Sequence, residues 1–304
     1  MAVLVALGMV AAAACGGGTG DAVEESVPAS TAAGDAVTVA EDLVYAAGTQ
    51  RNGRPVDWTL DLYRSGDAGD APRVVFLHGG GGSKNTNAGL ARGLAEHGLA
   101  VYLIDYPKDS PERAIAHNAD GFRAMADTAM CAIRFARGSG DGDGALVVLG
   151  GFSKGAGLAA HAALAGEDLG RLWEDYGESG GGPQSRLDCT VTDASTRVDA
   201  LVGVAGEYDA FVGLEGDHPH GQAFMQEHEP DLWSVLHGVV GTEADLEVRL
   251  LHGELDAIIP AEVSADLAAL LTDAGYDVEL TRFTGGHDVP VELTIETVMD
   301  LLTE

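Results

Sequence analysis

The stretch Ala-Leu-Val-Val-Leu-Gly-Gly-Phe-Ser-Lys-Gly, residues 145–155, decides the fold of this chain. Its apolar first half, 145–149, predicts a buried strand, and the Ala- and Leu-rich residues 155–165 predict a helix. Ser153 therefore lies on a sharp turn from strand to helix. Flanking glycines avoid clashes with neighbouring backbone at such a turn, and the helix N-terminus favours developing negative charge. This context is typical of a nucleophile elbow.

Apolar runs suited to buried strands recur on both sides of this turn and alternate with helix-like stretches. The further strands are predicted at 58–63, 73–77, 100–105, 200–204, 247–251 and 277–283, and the further helices at 88–97, 115–137, 261–274 and 291–302. Most of the runs are continuous rather than alternating, as in strands buried on both faces. The pattern predicts an α/β fold, with a mostly parallel sheet of about eight strands flanked by helices on both faces.

A glycine run follows the predicted strand 73–77 directly, in the sequence His-Gly-Gly-Gly-Gly at 78–82. Backbone amides can converge on an oxyanion where no side chain intrudes. We expect Gly80 and Gly81 to donate these amides, together with the amide of Lys154. The alternative is a phosphate-binding loop, but the P-loop spacing is absent and the chain is strongly acidic.

Two later strand ends supply an acid and a base. Asp256 follows the strand 247–251 and is suited to orient an imidazole, with Glu254 as the competing acid. His287 follows a glycine pair after the strand 277–283. The chain order Ser153, Asp256, His287 is the order expected of an α/β-hydrolase triad.

The N-terminus is predicted to direct export. Residues 1–14 are almost wholly apolar, too few to span a bilayer comfortably, and fit the apolar core of a signal peptide. The run Ala-Ala-Ala-Cys at 12–15 is similar to a bacterial lipobox, in which Cys15 would be lipidated. Plain secretion and a chance apolar start are the alternatives. Residues 1–15 are thus a predicted signal and lipobox, 16–38 a disordered tether, and 39–304 the catalytic domain.

Charge and cysteine content constrain the partners and the compartment. Seventeen Lys and Arg stand against 48 Asp and Glu, a formal net charge of -31 that would repel nucleic acid and anionic lipid. Membrane contact is therefore expected only through the lipid anchor.

With Cys15 set aside, Cys131 and Cys189 make an even pair, which in an exported chain favours a disulfide over two unlinked thiols.

From about Val39 onward, the chain resembles the α/β-hydrolase carboxylesterases, and most closely the bacterial feruloyl- and acetyl-esterase-like group with its dienelactone-hydrolase relatives. The residues that carry the resemblance are 60–63, 78–82, 105–107, 131–135, 151–155, 204–206, 252–256 and 286–287. The resemblance implies a serine esterase without a cofactor. It also implies that the substrate is a small-molecule or polymer-linked ester, cleaved through an acyl-enzyme.

Two other classes of protein fit parts of the pattern. A prolyl-oligopeptidase-type serine peptidase would share the triad and its order, but we expect no room for a propeller domain in residues 1–38. A non-catalytic surface binding protein on a hydrolase scaffold would usually lack a member of the triad, and all three residues are present.

Two weaker patterns concern charged side chains near the predicted site. The chain contains three lysines, Lys84, Lys108 and Lys154, each just after a strand. We hypothesise that they form a positive rim favouring anionic substrates. The alternative is that the three lysines lie there by chance. The second pattern, Asp-His-Pro-His at 217–220, could ligate a metal but has no further ligands at a known spacing, so no metal site is predicted.

Overall fold

Short runs of Val, Leu, Ile and Phe form the centre of one large sheet. A computed structural model of the chain describes residues 36–49, 54–66, 69–107, 119–139, 145–169, 187–208, 239–241, 243 and 245–303. Every residue of three of the runs is buried, because the sheet is covered on both faces.

The strands are β1 (Val37–Thr49), β2 (Pro55–Ser65), β3 (Arg73–Leu77), β4 (Ala100–Ile104), β5 (Val147–Phe152), β6 (Leu187–Cys189), β7 (Ala200–Val204), β8 (Glu247–Gly253) and β9 (Asp277–Phe283). The α-helices are α1 (Ala88–Glu96), α2 (Ala119–Gly138), α3 (Lys154–Ala165), α4 (Ala261–Asp273) and α5 (Val291–Leu301). Short 3₁₀ turns lie at Lys84–Asn87 and Gly166–Asp168.

The described strands form a nine-stranded sheet in the order β6-β1-β2-β4-β3-β5-β7-β8-β9. β6, β1, β2 and β4 pair antiparallel in turn, and the strands from β4 to β9 are parallel. The order reverses between β3 and β5, since the chain moves outward from β3 to β4 and then returns. Crevices at the carboxyl ends of strands beside such a reversal are the usual ligand sites of open α/β sheets.

The helices pack on both faces of the sheet and divide its core in two. Val75 and Leu77 lie in the same apolar cluster as α2, α3 and α4, whereas Val74 and Phe76 lie with α1 and α5. Neighbouring residues of β3 point to opposite faces because side chains alternate along a strand. The α/β-hydrolase architecture predicted from the sequence is confirmed, with nine described strands instead of about eight.

β1 and β6 are the strands that the sequence did not predict. Glu41 and Asp42 interrupt the apolar alternation of β1 at an irregularity in its pairing with β2, where Asp42 adopts φ +55°. β6 is three residues long and has no recognisable pattern. The strand before Ser153 was also placed too early, since β5 runs from Val147 to Phe152.

β1 begins at Val37, two residues inside the predicted tether. The predicted signal and lipobox, Cys15 included, lie outside the described residues, as does the tether up to residue 35. Within the described part of the chain, no helix is both long enough and apolar enough to cross a membrane.

A disulfide joins Cys131 on α2 to Cys189 on β6, as the sequence favoured. The bridge fastens the edge of the sheet to a helix and links positions 58 residues apart. A loop of that length contributes about 4 kcal/mol in the chain-entropy model. β6 lies five strands from β5 in the sheet, about 24 Å at ordinary strand spacing, so the bridge is remote from Ser153.

The start of α3 packs against the end of β3 with no space for a side chain. A Cβ atom on Gly155 would lie 2.4 Å from the carbonyl oxygens of Leu77 and His78, and one on Gly151 would lie 2.3 Å from the carbonyl oxygen of Gly155. These neighbours are backbone atoms, which cannot rotate away. Both glycines of the Gly-Phe-Ser-Lys-Gly turn are therefore required by close approach.

We expect Gly155→Ala to lower the free energy of unfolding by about 3 kcal/mol or more, because the new methyl group would overlap two carbonyl oxygens. The matched control is Gly89→Ala in α1, where an added Cβ meets nothing within 4 Å. That change should be neutral or stabilise by up to about 1 kcal/mol. Urea unfolding of both variants tests this, and equal stability would contradict the packing described for the turn.

Candidate active site

Ser153 lies between β5 and α3 with a backbone conformation that few non-glycine residues adopt. Its φ is +54° and its ψ is −120°, which costs on the order of 1–3 kcal/mol. The Ser153 amide donates to the carbonyl oxygen of Val204, at 2.8 Å. The Ser153 carbonyl oxygen accepts amides from Ala156, Gly157 and Glu207, at 3.0, 3.3 and 3.1 Å. The surrounding backbone therefore holds the serine in its strained turn.

The direction of the Ser153 carbonyl fixes the direction of the next amide. In a trans peptide, the carbonyl of one residue and the N–H of the next point to opposite sides, and the described chain has no cis peptide bond. Since the Ser153 carbonyl points into the first turn of α3, the Lys154 N–H points out of the helix N-terminus. An anion at this position would also meet the positive end of the helix dipole.

The glycine run after β3 forms a tight turn beside this elbow. The Gly79 carbonyl oxygen accepts hydrogen bonds from the Gly82 amide at 3.0 Å and from His78 Nδ1 at 2.8 Å. Gly81 has φ +73°, as the third position of a type II turn requires. By the same peptide geometry, the Gly80 N–H points away from the His78 ring. Among the described residues, no group accepts a hydrogen bond from the amides of Gly80 or Gly81.

The turn is in direct contact with Phe152 and Ser153. A Cβ atom on Gly79 would lie 2.9 Å from the Phe152 ring and 3.3 Å from Ser153 Cβ. Tyr106 supports the turn from the other side, since its ring stacks on His78 with centroids 4.2 Å apart and its hydroxyl donates to the His78 carbonyl oxygen. The glycine run and Ser153 therefore occupy adjacent positions at the carboxyl edge of the sheet.

Asp256 and His287 form a hydrogen-bonded pair. His287 Nδ1 lies 2.7 Å from Asp256 Oδ2, and the Asp256 carboxylate is fully shielded from solvent. Because a carboxylate only accepts, the imidazole carries its proton on Nδ1 and leaves Nε2 as a free acceptor. Glu254, the competing acid, is exposed.

The charge on Asp256 is stabilised by hydrogen bonds. Burial alone would raise the pKa of this carboxyl group, but donors from His287 and from the amides of Ile259 and Ile258 outweigh burial. The pKa therefore lies below its ordinary value of 3.8. With a depressed pKa, the stabilising effect of this group is present above pH 3.8 and is lost as the pH falls through the folded-state pKa.

His287 lies close to the segment that contains Ser153. The Leu255 amide donates to the Gly285 carbonyl oxygen at 2.8 Å, which joins the loop after β8 to the loop after β9. The His287 ring lies 4.9 Å from the Phe152 ring, centroid to centroid. No described residue hydrogen-bonds to the Ser153 hydroxyl. The His287 ring thus lies beside Phe152, the residue that precedes Ser153.

The hypothesis of a positive rim is wrong for Lys84. Its side chain is 8% exposed, and its ammonium lies 2.5 Å from one carboxylate oxygen of Asp42 and 2.5 Å from one of Asp61. Burial would lower the pKa of Lys84, but these two carboxylates outweigh it and raise the pKa. The Lys84 amide also donates to the Asp105 carboxylate, at 3.0 Å. Lys84 therefore fastens the end of the glycine turn to β1 and β2 instead of attracting substrate.

The other predictions about charged side chains fall largely outside the described residues. Lys108 and the 217–220 segment lie outside the described residues. Lys154 begins α3 directly after Ser153, and its backbone N–H points out of the helix N-terminus. In the described part of the chain, no group of three or more His, Cys, Asp or Glu side chains is arranged to hold a metal ion.

Several supporting residues were not identified from the sequence. The Glu207 amide holds the Ser153 carbonyl, the Tyr106 ring supports the glycine turn, and His252 contacts Asp256. His252 stands four residues before Asp256 in the run that marked the acid, so this spacing was visible. An amide contact such as that of Glu207 leaves no signal in a sequence.

The solved structures that resemble this chain include several esterases. A truncated carbohydrate esterase from gut microbiota is 19% identical, with a TM-score of 0.58, over 88% of this chain and 95% of that one. Est2, an esterase of the planctomycete Thermogutta terrifontis, is 20% identical with a TM-score of 0.62, over 87% and 91%. The same esterase was also solved phosphoramylated by tabun, at 20% identity and a TM-score of 0.59, over 88% and 94%. At these identities, the likeness establishes the α/β-hydrolase fold.

The sequence itself places the chain in a family. No curated protein sequence matches it. The model of the serine hydrolase (FSH1) family matches residues 131–299, which is more than half of the chain and includes Ser153, Asp256 and His287. The chain therefore belongs to the FSH1 serine hydrolase family.

Proposed function

We propose that this serine hydrolase cleaves carboxylic esters through a triad of Ser153, His287 and Asp256. The observation that carries the proposal is the 2.7 Å hydrogen bond between His287 Nδ1 and the buried Asp256 carboxylate, with the ring beside the strained turn of Ser153. This arrangement leaves Nε2 of His287 as a base next to a serine presented by a strand-to-helix turn.

The reaction proceeds in two acyl transfers. His287 Nε2 takes the Ser153 proton while Ser153 Oγ bonds to the ester carbonyl carbon. The tetrahedral intermediate collapses as His287 returns that proton to the departing alcohol, which leaves an acyl-serine. Water then attacks the acyl-serine through the same base, and the carboxylic acid leaves as Ser153 regains its proton. No cofactor enters either step.

The amides of Gly80, Gly81 and Lys154 are the proposed oxyanion donors. The carbonyl of Gly79 is held toward the His78 ring, so the Gly80 N–H points the other way. The carbonyl of Ser153 is held by α3, so the Lys154 N–H points out of the helix. No described residue accepts a hydrogen bond from the amides of Gly80 and Gly81. Donors fixed before the substrate arrives stabilise developing negative charge without reorganisation, and loss of one such donor costs roughly 10²–10³ in kcat.

Ester cleavage is tested with p-nitrophenyl acetate, p-nitrophenyl butyrate, a feruloyl ester, acetyl-xylan and a peptide p-nitroanilide. We expect wild type to cleave one or more of the esters in preference to the anilide, and Ser153→Ala to lose about 10³-fold or more of kcat. Ser65→Ala is the matched control because Ser65 ends β2 at the opposite edge of the sheet. Ester hydrolysis unchanged in Ser153→Ala would contradict the triad, and preferential anilide cleavage would indicate a peptidase.

We also propose that the protein is exported and anchored to the outer face of the bacterial membrane through lipidated Cys15. The apolar run before Cys15 and the small residues around it support this proposal. The Cys131–Cys189 disulfide agrees with an oxidising compartment. The substrate would then be an ester outside the cell, either free or attached to a polymer.

Export is tested by feeding an alkyne analogue of palmitate to a bacterial host that expresses the full chain. We expect label on the wild-type protein in the membrane fraction, and none on Cys15→Ser. A membrane-free, unlabelled wild-type protein would contradict the lipid anchor.

A further inference from the structure

The Asp256 carboxylate touches a second imidazole besides that of His287. His252, the sixth residue of β8, is fully buried, and its Nε2 atom lies 3.1 Å from Asp256 Oδ2 and 3.0 Å from the carbonyl oxygen of Ile259. Its other ring nitrogen, Nδ1, lies 2.6 Å from the hydroxyl of Ser264, a buried residue of α4. The proposed triad makes no use of this histidine.

The partners of His252 determine where its proton lies. A carboxylate and a backbone carbonyl both accept hydrogen bonds, so Nε2 must carry hydrogen and donate to Asp256 and Ile259. In the neutral ring, Nδ1 is then the acceptor and the Ser264 hydroxyl donates to it. A chain of hydrogen bonds thus runs from α4 through the His252 ring to the carboxylate.

With this contact, the carboxylate has as many donors as it can accept. Oδ1 accepts the amides of Ile258 at 2.8 Å and Ile259 at 3.0 Å, and Oδ2 accepts His287 Nδ1 and His252 Nε2. A carboxylate offers about four lone-pair positions. Each oxygen thus has two donors within hydrogen-bond distance, which favours one orientation of the carboxylate plane.

We infer that His252 is a positioning residue, which donates to Asp256 Oδ2 and so holds the carboxylate in the orientation that binds His287. This inference rests on the proposed triad. Asp256 is shielded from solvent, so bulk water cannot easily replace a missing donor, and without His252 one lone pair would be left unsatisfied. The carboxylate could then turn toward the two amides and away from the catalytic imidazole.

This role predicts a particular kinetic signature. His252 is fully buried and packs behind Asp256, so it has no surface through which to bind substrate. Its loss should therefore lower kcat and leave KM nearly unchanged. A role in packing alone predicts a different ranking of variants, because an apolar side chain would then be tolerated better than an amide.

The experiment compares His252→Leu, His252→Phe and His252→Gln with wild type, using p-nitrophenyl acetate. Leu and Phe remove the donor and keep apolar bulk, whereas the Gln side-chain amide can place a donor near the position of Nε2. We expect kcat to fall about 10- to 100-fold in His252→Leu and His252→Phe, by analogy with the loss of a hydrogen-bond partner that orients a metal ligand. KM should stay within about twofold, and His252→Gln should recover most of kcat.

A second readout follows the hydrogen bond itself. The downfield proton resonance of His287 Nδ1–H should shift or broaden in His252→Leu and His252→Phe, and return in His252→Gln. Thermal unfolding identifies any variant that does not fold. Because there are two donor-free variants, the comparison stands if either one is folded.

The inference is overturned if a folded donor-free variant keeps the wild-type kcat. It is also overturned if the kcat of such a variant equals or exceeds that of His252→Gln. Ser153→Ala, measured alongside, separates this failure from failure of the proposed function. An inactive Ser153→Ala with a fully active His252→Leu would leave the triad standing and remove only the positioning role. An active Ser153→Ala would remove the triad itself.

Discussion

The strained backbone of Ser153 is the constraint on which the rest of the site depends. A non-glycine residue keeps a backbone φ of +54° only where neighbouring groups prevent the backbone from relaxing. Here the β7 end supplies both partners, since Val204 accepts the Ser153 amide and Glu207 donates to its carbonyl. The glycines on either side of the serine then allow α3 to approach β3 at backbone contact, which places the glycine turn beside Ser153.

In the described part of the chain, the negative charge of Asp256 is stabilised by hydrogen-bond donors. The chain carries a formal charge of -31, and Lys84, a lysine next to the glycine turn, is already paired with two carboxylates. Asp256 is stabilised by two amides and two imidazoles, and the proposed oxyanion donors are backbone N–H groups. Such dipoles do not depend on surface charge, so a strongly acidic protein can still stabilise an anionic intermediate.

Much of the fold could be predicted because its central strands are continuous apolar runs. β3 and β7 begin and end where the sequence placed them. The bounds of β9 were also predicted correctly, although it is an edge strand and not a continuous apolar run. β1 was missed because Glu41 and Asp42 lie at an irregularity in its pairing with β2. The reason for Asp42 inside a strand becomes visible only in the structure, where Lys84 and Asp61 contact it.

Some residues of the candidate site could likewise be predicted from the sequence, and others could not. Ser153, Asp256 and His287 follow strands in a recognisable order, so local patterns were enough to predict them as a triad, and the structure joins His287 to Asp256 by a hydrogen bond. Lys84 was misassigned because its position after a strand reveals proximity to the site but not burial between carboxylates 23 and 42 residues away. The Glu207 amide and the second contact of Asp256 depend on how loops from different strands meet, and sequence spacing records that only weakly.

The most direct test of the account is covalent labelling of the nucleophile. A fluorophosphonate probe should react with the folded enzyme at one serine, and peptide mass spectrometry should place the adduct on Ser153, since an activated serine attacks the probe as it attacks an ester. The Ser153→Ala protein should remain unlabelled while keeping its fold. An active enzyme whose adduct lies on another residue, or which carries none, would contradict the assignment of Ser153 as the nucleophile.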